Sequence, residues 1–219
     1  NHDKSKFDIF GFSYGVEKND KWRIEVKNYL TQFIDIVEVS DKEAVNIARN
    51  LELDIAIDLS GLTGNPRGGI FSNRVAPFQI NYLGYPGTYG ADYIDYIIAD
   101  ETVIPKENLK FYSEEVLYLP ECYQSNMKSR EVTKKDFKRS DFELPEGAFI
   151  FSSFNNNYKI TPGMFDIWMQ ILKNVPNSVL WILKSNETAT SNLKNEANKK
   201  DVNPDRIILA DHLPNDEHL

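Results

Sequence analysis

Lys159 is the residue best placed to meet an anion. It stands between an apolar run, FIFSSF (residues 149–154), and a helical stretch, TPGMFDIWMQILKNVP, that opens at Thr161. Thr161 has the chemistry of an N-cap, and Pro162 suits the first helical position. A helix start there presents N–H groups and partial positive charge, to which Lys159 adds a full charge. In open α/β sheets, ligands bind beyond the carboxyl ends of the strands. The pattern therefore fits a diphosphate site without a Walker motif; a solvated loop lysine is the plainer alternative. Asn155, Asn156 and Asn157 offer amide groups to a ligand, or simply serve the turn. Tyr158 either closes over a sugar or packs on the helix.

A second candidate is LGYPGTYG, Leu83 to Gly90, directly after the strand-like FQINY. Gly84, Pro86, Gly87 and Gly90 with tyrosines between them suit a backbone that comes close to something flat and hydroxylated. DLSGLTGN (Asp58 to Asn65) is another glycine-bearing turn after an apolar strand. Turn chemistry explains either loop alone, and explains less well why both follow buried strands. Two units with such loops describe a cleft of the kind that holds small molecules. Other chemistries find no residues. His2, His212 and His218 are scattered without metal-ligand spacing, no serine–histidine–acid set is visible, and no GxGxxG is present. His218 has the ring to stack on a planar base, although a terminal histidine is also a common disordered residue.

The elements that must hold these loops alternate between strand-like and helix-like stretches, which predicts an α/β fold. FDIFGFS, IDIVEV, DIAIDLSG, FQINYLG and YIDYIIAD read as strands. Between them, KWRIEVKNYLTQF places Trp22, Val26, Tyr29, Leu30 and Phe33 near one helical face, and SDKEAVNIARNL opens with a Ser40–Glu43 capping box. RGGIFSNRV reads as a short helix. Apolar strands joined through helices predict a parallel sheet covered on both faces. Residues 121–145 show no period and read as a linker between a first domain (1–120) and a second (146–219). In the second, AFIFSSFN, SVLWILK and RIILAD are strands, 187–200 is a polar helix, and Phe165, Trp168, Met169, Leu172 and Val175 form the buried stripe of the helix that begins at Thr161. Three strands are few for a doubly wound domain, so the chain is expected to be a fragment with both domains incomplete and with some tendency to self-associate through apolar edges.

Composition narrows the partners. The formal net charge is −8, and the acidic excess sits in residues 1–120, where 12 Lys+Arg face 19 Asp+Glu. An acidic surface argues against nucleic acid, which needs a basic face. The one basic cluster, Lys128 to Arg139, reads first as a solvated linker and second as an anion or membrane site. No apolar run approaches a membrane span of roughly 18 residues, and no signal peptide opens the chain. Cys122 is the single cysteine, so an intrachain disulfide or a cysteine-built zinc site is impossible, and a reducing, cytoplasmic setting is expected.

DLSGLTGNPRGGIFSNRVAPFQINYLGYPGTYGADYIDYIIADETVIP closely resembles the catalytic region of the O-linked N-acetylglucosamine transferases of glycosyltransferase family 41, and FNNNYKITP, VPNSVLWILK, PDRIIL and DEHL continue the likeness in order. The resemblance implies a GT-B fold: two Rossmann-like domains with a nucleotide sugar in the cleft. It implies that Leu83, Gly84 and Pro86 shape the GlcNAc pocket, with Thr63 lining it. Asn156 would lie near the nucleotide, Tyr158 and Leu183 near the sugar, and Lys159 would hold the diphosphate. Leu213 would bind the uracil edge through its backbone, and His218 would stack on uracil. Leu62 departs from the family, standing where a polar turn residue is usual, and Asn215 stands where some members have a ribose-binding lysine. The resemblance also places the family's proposed catalytic histidine in a segment before Asn1, a second diphosphate loop after Leu219, and tetratricopeptide repeats outside the chain.

The implied activity is inverting transfer of GlcNAc from UDP-GlcNAc to a protein hydroxyl, with the chain inactive alone. The partners would be a UDP-sugar and an acceptor protein or peptide, with no nucleic acid and no membrane. No cofactor or metal is expected, because Lys159 and the helix start offset the leaving diphosphate. Two alternatives remain: an N-glycosyltransferase of the same family using UDP-glucose, and a non-catalytic nucleotide-binding or interaction module.

Overall fold

The structure, a computed structural model, describes residues 2–15, 21–126 and 132–218. The chain divides into two units, residues 1–126 and 127–219. Lys128 to Glu131, the start of the basic cluster, lie outside the described residues.

In the first unit, β1 (Phe10–Ser13) pairs in parallel with β2 (Gln32–Asp35), and α1 (Lys21–Tyr29) connects them. Next come α2 (Asp41–Asn50), β3 (Ile55–Asp58), α3 (Gly68–Ser72), β4 (Phe78–Asn81), β5 (Tyr96–Ala99) and β6 (Glu115–Tyr118). The last four strands form one parallel sheet in the order β3-β4-β5-β6. The capping box holds α2: the Glu43 N–H donates to Ser40 Oγ at 3.3 Å, and the Ser40 N–H to Glu43 Oε2 at 3.0 Å. Ala44, Val45 and Ala48 of this helix pack with Ala56, Ile70, Val75 and Ala76.

Successive strands are added on the same side, so right-handed crossovers place every connection on one face. On the opposite face Ile55, Ile57 and Phe78 are each about half exposed, while Ile80, the register partner of Ile57, is buried. The expectation of a sheet covered on both faces is met only in part in this unit. The helical stripe is corrected too. Trp22, Val26 and Tyr29 are exposed and no residue of α1 is buried, while Phe33 belongs to β2. Short apolar runs give the period of a helix but not what covers it.

The second unit is a three-stranded parallel sheet: β7 (Phe149–Ser153), β8 (Ser178–Leu183) and β9 (Ile207–Ala210). The connections are α4 (Pro162–Asn174) and α5 (Glu187–Lys199), and α6 (Asn215–His218) follows β9. Phe165, Met169 and Leu172 of α4 pack with Leu180, Ile182, Ile207 and Ala197. Val175 lies past the end of α4 and is exposed. Arg206 ties the end of α4 to the sheet, donating to the carbonyls of Leu172, Val175 and Ser178 at 2.7–2.8 Å. Those carbonyls lie at or just beyond the helix C-terminus, where a cation is favoured. On Trp181, Phe142 and Phe154 pack with ring centroids 5.4 and 4.9 Å away. Residues 132–145 thus belong to this unit, and Leu144 is buried.

Candidate functional site

In the first unit the two glycine loops leave the carboxyl ends of β3 and β4. Asp58 closes the first: its Oδ1 accepts the N–H groups of Ser60 and Gly61 at 2.9 and 3.0 Å. Gly61 and Gly64 take φ of +56° and +61°, a region that a glycine enters at little cost. The Thr63 N–H and hydroxyl both donate to the Ser60 carbonyl, at 3.2 and 2.6 Å. In the second loop the Gly84 N–H donates to Tyr82 O at 3.0 Å across Leu83, whose φ is +78°. This is a γ-turn of the strained, positive-φ kind.

The loops touch at one place. A Cβ on Gly84 would sit 2.3 Å from the Ser60 carbonyl oxygen, the atom that Thr63 engages. Thr63 and Gly84 therefore meet at the Ser60 backbone, with Leu83 next to Gly84 in the chain. Tyr82 N–H donating to Asp58 O at 2.9 Å adds a second tie.

The rest of the turn is pinned by residues that local sequence does not mark. Asn81 Nδ2 donates to Gly87 O at 3.2 Å, and Tyr112 Oη to Pro86 O at 2.9 Å. The buried Glu114 accepts the Tyr89 N–H at 2.6 Å and the Thr88 hydroxyl at 2.7 Å. Burial, and next the Asp58 carboxylate, push the Tyr89 phenol far above its ordinary pKa, so it stays a neutral hydroxyl. Asp100 holds the next layer. Its carboxylate accepts the N–H groups of Thr102, Val103 and Tyr123, and the Tyr123 carbonyl in turn accepts the Tyr82 hydroxyl at 2.7 Å. These bonds, that from Tyr123 foremost, hold the Asp100 carboxyl below its usual range.

In the second unit, Asn156 precedes a single 3-10 turn, Asn157–Lys159, and its carbonyl accepts the Lys159 N–H at 3.0 Å. Tyr158 is 77% exposed, and Lys159 is exposed with no carboxylate paired to it among the described residues. Thr161 caps α4, accepting the Met164 N–H at 3.3 Å. Pro162 has no N–H and the Met164 N–H is taken, so this helix start offers fewer donors than the sequence suggested. Of the two features that suit an anion, the lysine ammonium is the stronger. Leu183 ends β8 opposite Ala210, while Leu213 and His218 follow β9. All six candidates of this unit lie at the carboxyl ends of its parallel strands, where ligands of open α/β sheets bind.

His218 is exposed, and its ring meets Phe154 with centroids 5.8 Å apart at 66°. Sequence reasoning missed Phe154 and Trp181 as its support, and missed Ser60, Asn81, Tyr112 and Glu114 in the first unit. A polar residue ending the buried strand FQIN was the one visible signal, for Asn81. Among the described residues no three of His, Cys, Asp and Glu group to hold a metal ion, and no helix is long and apolar enough to cross a membrane.

Comparison with known proteins follows the same lines. The model of glycosyl transferase family 41 matches residues 1–132 and 124–219. The chain is 36% identical over 223 residues to the Arabidopsis thaliana protein named "Probable UDP-N-acetylglucosamine--peptide N-acetylglucosaminyltransferase SEC", covering all of this chain and 23% of that one. It is 33% identical over 186 residues to a SPINDLY protein of Oryza sativa subsp. japonica with the same enzyme name, covering 82% of this chain and 19% of that one. A mutant of the Thermobaculum terrenum O-GlcNAc transferase shares the fold, with a TM-score of 0.82 at 23% identity over 98% of this chain and 40% of that one. The chain thus spans about a quarter or less of these two plant relatives, and its fold is α/β of the GT-B type. The paired glycine loops, the lysine-bearing turn before a Thr-capped helix and the family match over the whole length agree: the chain belongs to glycosyl transferase family 41.

Proposed function

We propose that the protein carrying this chain is an inverting glycosyltransferase that moves GlcNAc from UDP-GlcNAc to serine or threonine hydroxyls of proteins. The observation that carries this reading is the gathering of Asn156, Tyr158, Lys159, Leu183, Leu213 and His218 at one edge of the second unit's sheet. There an unpaired ammonium and an exposed imidazole fit the diphosphate and the base of a uridine nucleotide. In the first unit, Thr63, Leu83, Gly84 and Pro86 line the sugar pocket. The names of the relatives support the same donor and acceptor.

In the reaction an acceptor hydroxyl oxygen bonds to the anomeric carbon and gives up its proton to a base or to water as the bond to the diphosphate oxygen breaks. UDP leaves with the bonding pair and the configuration inverts. Negative charge grows on the diphosphate, and Lys159 offsets it without a metal. Cys122 is an exposed free thiol, which fits a reducing, cytoplasmic setting. The exposed Ile55, Ile57 and Phe78 favour self-association of the isolated chain, which light scattering reads.

The test is a donor panel on the full-length protein, with peptide acceptors followed by mass spectrometry and UDP binding by calorimetry. GlcNAc on serine or threonine is expected. Glucose on asparagine contradicts the reading in favour of an N-glycosyltransferase. No heat with UDP contradicts it in favour of an interaction module.

A further inference from the structure

The one-turn α6 is too short to be stable by itself, because a helical turn is costly to nucleate. Its own bonds are local: the Glu217 and His218 N–H groups donate to Pro214 O at 2.9 and 3.0 Å. Two long-range tethers add to them, and both begin in the stretch before β7. The first is a strap. The Thr133 N–H donates to Asp216 O at 2.7 Å, and Lys135 Nζ pairs with Glu217 Oε1 at 2.5 Å. The second is a row of rings: Phe137 on Phe142 (5.3 Å), Phe142 on Trp181 (5.4 Å), Trp181 edge-on to Phe154 (4.9 Å), and Phe154 on His218 (5.8 Å). The same segment therefore grips α6 directly and reaches its histidine through Trp181 and Phe154.

We propose that Phe154 and the strap residues Lys135 and Glu217 are positioning residues that hold the His218 imidazole as a fixed platform for the planar pyrimidine base of a uridine nucleotide. The proposal rests on the nucleotide-site reading above and adds what sets the affinity of that site. A ring stacking on a histidine carried by a loose turn must order that turn on binding. A platform already ordered by the strap and the ring row loses no such freedom. Its ring meets Phe154 in a T-shaped contact, and His218 remains exposed.

The experiment uses the full-length protein with two probes, UDP and uridine, the second lacking the diphosphate; uridine is read by competition. Phe154→Leu removes the ring, and Phe154→Tyr keeps it. Lys135→Glu, Glu217→Lys and the double exchange test the strap. Phe154→Leu is expected to weaken both probes by the same factor, about five- to tenfold, with Phe154→Tyr close to wild type. In catalysis the donor KM should rise by the same factor while kcat at saturating donor holds. Each single charge reversal is expected to weaken uridine about threefold, and the double exchange to restore it. Uridine carries no net charge, so its loss cannot come from changed long-range attraction of an anion. Should Phe154→Leu fail to fold, the charge exchange at the surface decides alone. The proposal is overturned if Phe154→Leu binds uridine like wild type, if UDP weakens without uridine, or if the double exchange binds as poorly as the two reversals combined. A wild-type protein that binds no UDP overturns the nucleotide-site reading itself, and this proposal with it.

Discussion

Gly84 has no room for a side chain: a Cβ there would lie 2.3 Å from the carbonyl oxygen of Ser60. The family likeness sets Gly84 in the wall of the GlcNAc pocket, where added bulk would meet the sugar. The structure places the first conflict against the neighbouring backbone instead. Gly84→Ala is therefore expected to push apart the loops after β3 and β4, with a loss of stability of about 1–3 kcal/mol as well as of activity. Chemical denaturation and a transfer assay on the same preparation check this. Because the clash is with backbone, Ser60→Gly should not rescue it.

Glu114 joins the turn to the strand that follows it. Both its oxygens accept, from the Tyr89 N–H and the Thr88 hydroxyl. Glu114→Gln turns one acceptor into a donor facing another donor. The expected cost is about 1–3 kcal/mol of stability, with a raised donor KM. Unchanged melting and unchanged KM would show that the turn holds its shape without the carboxylate.

Asp100 gives the first unit an acid-sensitive bond set. Its carboxyl is held below its usual value by backbone N–H groups, Tyr123 first. A depressed folded pKa contributes stability above the unfolded value of about 3.9, and that contribution is lost as pH falls through the lower folded value. Asp100→Asn should therefore be less stable than wild type at pH 7, with the difference shrinking below about pH 4. Urea titrations at pH 7 and in strong acid measure both ends of that range.

Much of the fold was legible in the residues, for reasons that are local. Ser40 and Glu43 announced the start of α2, and Thr161 with Pro162 the start of α4, because caps act over three residues. The loops at Gly61 and Gly84 were visible because glycines follow apolar strands. The strand Glu115–Tyr118 was missed, since four residues in a polar loop carry too little alternation to register. The support of the site was also hidden. Tyr112 reaches Pro86 across 26 residues and Lys135 reaches Glu217 across 82, and such pairs leave no periodic trace. Why Gly84 must be glycine was equally invisible, because Ser60 lies in another loop.

Lys159 carries the central claim. It stands exposed and unpaired among the described residues, two positions before the Thr161 cap, and in the proposed reaction it is the fixed cation for the growing charge of the leaving diphosphate. A cation that helps the transition state more than the bound donor acts on rate. The measurement is the transfer rate at saturating UDP-GlcNAc for Lys159→Ala and Lys159→Arg in the full-length protein, with donor affinity taken separately. Lys159→Ala should be slower by about a hundredfold, on the order of 3 kcal/mol. Lys159→Arg should recover only part of that, because a planar guanidinium aims its donors differently from a compact ammonium. A wild-type rate in Lys159→Ala would contradict the account, leaving Lys159 a solvated loop charge.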